Sequence, residues 1–197
     1  ALATLLGAST AFAGPPPPPP PPPAKVVLRI ATQAPEGTVW MDALEDIRQT
    51  VLKGTKGRVE FKFFPNGSMG EEGAIIEKTN QGMLHGGLFT GIGLGQISSK
   101  IRLLEVPFLY QDKAEIDAVK VAFDAEFKKG LDEEGFVFLG WAEVGWAYIF
   151  SKVKARNIKE LRERKIWVWQ ADPLANKTFK AFGLSGVPLA LPDVLTS

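Results

Sequence analysis

The sequence predicts an α/β fold in two lobes, and three observations carry that prediction. From Ala24 onward, short apolar or alternating segments take turns with amphipathic ones, the pattern of strands and crossover helices in a largely parallel sheet. Cap and turn residues punctuate the alternation, as in "FPNGSMGEE" and "QADPLAN". A long extended passage, "FVFLGWAEVGWAYIFSK", then separates two such runs, which places one lobe at residues 25–145 and part of a second at 146–197.

The elements follow in order. The opening "ALATLLGASTAFA" is an apolar run ending in Ala11 and Ala13, the A-x-A arrangement of an export signal, so residues 1–13 read as a signal-peptide remnant. It is shorter than the ~20 apolar residues a membrane span needs, and without Met or basic residues its start reads as truncated. Pro15 to Pro23 dictate a polyproline II rod, so residues 14–24 form a stiff linker. "KVVLRIATQ" reads as a strand and "GTVWMDALEDIRQTVL" as an amphipathic helix closed by Gly54 and Gly57. The strand "RVEFKFFP" and a helix over 71–83 come next, then a third strand over 86–90 that runs into "GIGLGQIS".

Further on, "LLEVPFLYQD" reads as an extended apolar segment, followed by one long helix over about 112–133 that starts at Asp112 and ends at Gly135. Two strands, "FVFLGWAEVG" and "WAYIFSK", precede a short helix over 157–163. The strand "RKIWVWQ" places Trp167 and Trp169 on one face and Ile166 and Val168 on the other. Asp172 and Pro173 then open the helix "PLANKTFKAFG", "SGVPLAL" is the last strand, and "PDVLTS" reads as the first turn of another helix.

Composition excludes several functions. The net charge is +1 and no basic run appears, so nucleic acid is not an expected partner. There is no Cys, which removes thiol nucleophiles and Cys-based zinc sites, and the single His85 offers no triad or metal cage. No metal or cofactor is expected. Gly91, Gly93 and Gly95 follow a strand, but their spacing is G-x-G-x-G and not the dinucleotide fingerprint, so close approach of backbone to its surroundings is the better reading.

The ordered motifs "LRIATQAPEGTVW", "VEFKFFPNGSMGEE", "LLEVPFLYQD", "GFVFLGWAEVGW", "RKIWVWQADPLANKTFKAFG" and "VPLALPDVLTS" closely resemble the solute-binding proteins of TRAP transporters, the DctP-type family. The resemblance covers residues 25–197. It implies a two-lobed periplasmic solute-binding fold with a ligand cleft between the lobes, here with an incomplete second lobe. It also implies no catalysis, and delivery of a small solute to the small and large membrane subunits of a permease. Family members continue past the last residue here, so exposed apolar surface on the second lobe is expected.

The resemblance also locates a site. Family members grip an organic acid with an Arg in a strand motif like "KIR", and here that position is Trp167. A second Arg follows an E-x-G-x motif, and here Ala147 follows Glu143, Gly145 and Trp146. Other positions implied to line the cleft are Gln33, Thr90, Gln170 and Leu191, none of them charged. A carboxylate buried there lacks a partner, which is costly. The expectation is therefore a neutral, apolar, aromatic or lipid-like solute held by Trp167, Trp169 and Trp146, with cation–π capture of a quaternary ammonium as a variant. Two alternatives remain open. An organic acid could bind through Lys165, Arg29, Arg102 or a segment beyond this chain, and an exported nucleotide-dependent α/β enzyme could rest on "GIGLGQ". The two tryptophans could also simply fill lobe packing.

Overall fold

The computed structural model describes residues 25–190 and 193–194. The signal-peptide and polyproline readings and the Leu191 assignment lie outside the described residues. Two parallel sheets organise the rest. The first has three strands in the order β2-β1-β3, with β1 at Val26–Thr32, β2 at Val59–Phe64 and β3 at Gly86–Leu88. The second pairs β4, Ile166–Trp169, with β5, Gly186–Leu189, setting Trp167 against Val187 and Trp169 against Leu189.

Helix α1 (Val39–Gly54) connects β1 to β2, and α2 (Glu72–Asn80) connects β2 to β3. The connections are crossovers because parallel strands cannot be joined by a tight hairpin. The bend before α2 needs left-handed backbone at Asn66, Gly67 and Gly70, which accounts for the run of small residues in "NGSMG". One apolar core lies between α2 and the sheet, where Ala31, Ile75 and Leu84 are packed by Phe64, Met69 and Phe89.

The glycine-rich "GIGLGQI" forms a short helix, α3 (Gly91–Ile97), and the segment predicted as extended begins with a 3-10 helix over Ser99–Glu105. The single helix expected over 112–133 is two, α4 (Lys113–Ala122) and α5 (Asp124–Asp132), because Phe123 between them leaves helical geometry at φ −108°, ψ 11°. This break turns Phe127 and Leu131 of α5 onto Ile101, a second core flanked by Phe136, Phe138 and Trp141.

The two strands expected over residues 136–152 do not form. The chain there carries no sheet pairing among the described residues, and Val137, Leu139, Tyr148 and Phe150 are more than 70% exposed. Their apolar alternation signals a strand only where another strand's donors and acceptors lie alongside. Glu143 instead ties this passage to α4 through Lys113 and Lys120.

Helix α6 (Ile158–Arg162) precedes β4, and α7 (Pro173–Phe182) connects β4 to β5. Asp172 caps α7 by accepting from the Leu174 N–H at 3.0 Å, and Gly183 closes it in the left-handed conformation at φ 65°. Gly183→Ala is expected to lower stability by about 1 kcal/mol, the cost of that conformation for a residue with a Cβ, read as a drop in thermal midpoint.

Candidate functional site

Parallel sheets present ligand sites at the carboxyl ends of their strands, and here those ends of both sheets meet at one seam. On the first sheet, Gln33 directly follows β1, is buried, and donates from Nε2 to the Gly70 carbonyl at 2.7 Å. The next residue, Glu71, occupies the N-cap position of α2 but makes no side-chain cap bond. Its carboxylate turns across the seam, where Oε2 accepts from Trp169 Nε1 at 3.2 Å. Gln33, Glu71 and Trp169 are thus contiguous through side chains and one backbone carbonyl.

Glu72 is buried and serves a different helix from its own. Its carboxylate accepts from the Thr90 N–H at 2.7 Å, the Thr90 hydroxyl at 2.8 Å and the Gly93 N–H at 2.6 Å. It thereby supplies an anion to the N-terminus of α3, where unsatisfied N–H groups gather. Burial raises the Glu72 carboxyl above the usual range, and the bonds from Thr90 and Gly93 oppose the shift. Thr90, implied above as a cleft residue, has its hydroxyl committed both to this carboxylate and to the Ile92 N–H.

The three glycines of α3 each seat a charged side chain. A Cβ at Gly91 would overlap the Glu105 carboxylate, one at Gly93 would stand 2.7 Å from Glu72 Oε2, and one at Gly95 would overlap the Arg102 stem. The close-approach reading of "GIGLGQ" therefore has a concrete cause. The nucleotide reading has none, since these N–H groups and the space above them are taken by the protein's own side chains.

Trp167 is 39% exposed and donates from Nε1 to the Leu189 carbonyl at 3.2 Å, which pins the indole against the end of β5. Gln170 is exposed, and its N–H continues the pairing with Leu189. Trp146 and Ala147 are exposed on the unpaired passage, and among the described residues no ring pair joins Trp146, Trp167 and Trp169. The structure thus places Gln33, Thr90, Trp167, Trp169 and Gln170 on or just beyond the strands, with Trp146 and Ala147 exposed on the unpaired passage 136–152.

The cations sort by the same geometry. Arg29 donates to the Met83 and Gly82 carbonyls before β3, and Lys165 precedes β4, so both lie toward the amino ends of the strands. Arg102 alone of the three reaches the seam. It pairs with Asp172 at 2.6 Å and with Glu105 at 2.9 Å. His85 is structural, its Nδ1 accepting the Arg29 N–H at 3.0 Å beside the β1–β3 ladder. Glu71, Glu72 and Glu105 were not marked by the sequence as parts of this seam. The adjacent pair "EE" before a helix and the glycines 91, 93 and 95 were the available signal. Among the described residues no group of three or more His, Asp or Glu is placed to hold a metal, and no helix is long and apolar enough to cross a membrane.

Comparison with known proteins bears on the whole arrangement. The family model for bacterial extracellular solute-binding protein, family 7 (DctP) matches residues 30–197. The 2,3-diketo-L-gulonate-binding periplasmic protein YiaO of Escherichia coli K12 is 28% identical over 158 residues, covering 78% of this chain and 47% of its own. A TRAP periplasmic solute-binding protein of Xanthobacter autotrophicus Py2, with bound β-D-galacturonate, superposes with TM-score 0.78 at 25% identity over 86% of this chain and 57% of its own. One from Polaromonas sp. JS666, bound to D-erythronate, gives TM-score 0.75 at 24% identity, over 87% of this chain and 57% of its own. The chain spans about half the length of the curated relatives it matches.

Proposed function

Given that the chain belongs to family 7 of the bacterial extracellular solute-binding proteins, the DctP family, we propose that it is the extracytoplasmic receptor of a TRAP-type transporter for a hydroxylated organic acid. The observation that carries the solute class is the kinship with YiaO, described as binding 2,3-diketo-L-gulonate, together with the fold shared with a galacturonate-bound relative. Such a receptor binds and releases its solute unchanged, so the role is transport and not catalysis, with the permease's small and large membrane subunits as partners. Its place is outside the cytoplasmic membrane.

The seam fits a polyhydroxylated acid better than the neutral apolar solute expected from the tryptophans. An apolar cage needs several indoles around one volume with their N–H groups free or satisfied elsewhere. Here, among the described residues, no ring pair joins Trp146, Trp167 and Trp169, and a carboxylate stands against Trp169. The open Trp167 face, with the exposed Gln170 amide three residues on along the chain, suits the carbon face and hydroxyl edge of a sugar acid. The Arg clamp of the family is still absent at Trp167 and Ala147. The charge partner for the acid is then supplied by the part of the relatives' fold this chain does not span.

The test is a thermal-shift screen of the whole receptor with D-galacturonate, D-glucuronate, L-gulonate, succinate and a neutral aromatic solute. A ligand at about 100 times its Kd adds about 2.7 kcal/mol to stability, enough for a clear rise in midpoint. The expected result is a rise with one or more hydroxy acids and none with the others. A rise with the neutral aromatic alone would overturn the acid reading and restore the apolar one.

A further inference from the structure

We infer that Arg102 is the positioning residue of this receptor, a latch that sets how the β4–β5 sheet stands against the β1–β3 sheet when solute is captured. The inference rests on the receptor reading above and adds a residue and a mechanism to it.

The geometry is that of a strut between two bodies. Arg102 lies in the 3-10 helix that follows α3 and packs with α3 and α5 through the core around Ile101, whereas Asp172 stands seventy residues on, just beyond β4. Arg102 Nη2 donates to Asp172 Oδ1 at 2.6 Å, and the two side chains are only 16% and 17% exposed. At that depth an ion pair is screened little by salt, and losing one partner strands the other's charge away from water. The arginine cannot drift, because its stem rests where Gly95 lacks a Cβ and Nη1 stands 2.9 Å from Glu105 Oε2.

Asp172 transmits the position. The same Oδ1 that accepts the Arg102 hydrogen bond also accepts the Leu174 N–H and so begins α7, and Asp172 lies three residues beyond Trp169, its own N–H bonded to the Trp169 carbonyl at 3.0 Å. Moving Arg102 therefore moves the end of β4, with Trp167 and Trp169 on it. Among the described residues, Trp169 to Glu71 and the edge-to-face pair of Phe108 with Phe182 also cross the seam. The ring pair carries no charge, and the Trp169–Glu71 bond, at 3.2 Å with one charged partner, is longer than the 2.6 Å bond between the two charged groups Arg102 and Asp172. A ligand stabilises a closed arrangement only by its differential affinity for it, so a protein contact that favours the same arrangement raises apparent affinity without touching the ligand.

Asp172→Asn separates the latch from the helix cap, since Asn caps as well as Asp but carries no charge. The chain has no Cys, so spin labels at Glu77→Cys and Lys177→Cys, both exposed positions on α2 and α7, report the distance between the two sheets. In the whole receptor, Arg102→Gln and Asp172→Asn are each expected to broaden and lengthen the inter-label distance without ligand. Each is also expected to weaken D-galacturonate binding about tenfold through a faster dissociation rate, a loss of about 1.4 kcal/mol. The double variant is expected to be no worse than either single one, as for two ends of one bond. Unchanged distances in both single variants would overturn the latch, as would additive losses in the double variant. If the wild type fails to bind any hydroxy acid, the solute reading falls while the distance measurement still decides the latch.

Discussion

Glu72→Ala is expected to lower the stability of the receptor by about 3–5 kcal/mol, the range seen when a buried polar network loses the group that satisfies it. Three donors converge on this carboxylate, two of them backbone N–H groups that have no other partner at the start of α3. Each buried donor left unmet costs about 1–3 kcal/mol, and the truncation also leaves a void beside Gly93 and Phe89. Glu72→Gln keeps the volume but turns an NH2 toward at least one donor, so a smaller loss of about 1–3 kcal/mol is expected.

The two variants also differ from the wild type in pH dependence. Because burial raises the Glu72 carboxyl above its ordinary value near 4.5, in the interval between that value and the folded one the folded protein holds a proton that the unfolded chain has already released, and above it the group is the anion described above. The contribution of this group is thus most favourable below the unfolded value and is lost as pH rises through the folded one. Denaturant titrations of wild type and Glu72→Gln across that interval are expected to converge as pH rises, since the Gln variant has no proton to lose. A difference that stays constant with pH would mean the carboxylate is already ionised throughout, its three donors outweighing burial.

How far the sequence revealed this region depends on what kind of interaction built it. Local signals read well: Asp172 and Pro173 open α7, Gly183 closes it, and the period-2 alternation of Trp167 and Trp169 against Val168 survives in β4, where Val168 is buried and the indoles share the other face. Signals that need a partner read poorly. The passage 136–152 has the alternation of strands but no described strand to pair with. The break at Phe123 is set by where Phe127 and Leu131 must go to meet Ile101, which no local propensity states. The seam itself is a matter of charges placed seventy and ninety-eight residues apart, Arg102 with Asp172 and Glu71 with Trp169.

The glycines of α3 mark the boundary between the two cases. Their presence after a strand is visible in the sequence and correctly suggests close approach, but the approaching groups, Glu105, Glu72 and Arg102, come from two other elements. A glycine records that something stands near the backbone without naming it. The family resemblance supplied the fold for the same reason it left the solute open: it transfers the frame, whereas the solute depends on the few positions, such as 147 and 167, where this chain departs from the pattern.

Trp167→Ala is expected to weaken binding of a hydroxylated acid about 30-fold, close to 2 kcal/mol, measured by calorimetry on the whole receptor. The indole is fixed by its bond to the Leu189 carbonyl and still leaves 39% of the residue open, so a solute that covers that face gains apolar burial with little ordering cost. Trp167→Phe keeps most of the face and is expected to lose less than Ala does. Trp167→Arg is the informative reversal, because it restores the residue the family resemblance places there. A guanidinium next to Gln170 can take a carboxylate in two parallel bonds, which a plain dicarboxylate satisfies as well as a sugar acid does. The arginine variant is therefore expected to acquire succinate binding that the wild type lacks, trading selectivity for charge. If Trp167→Ala binds hydroxy acids as tightly as the wild type, Trp167 packs the end of β5 and does no more, and the solute meets the β1–β3 side of the seam instead.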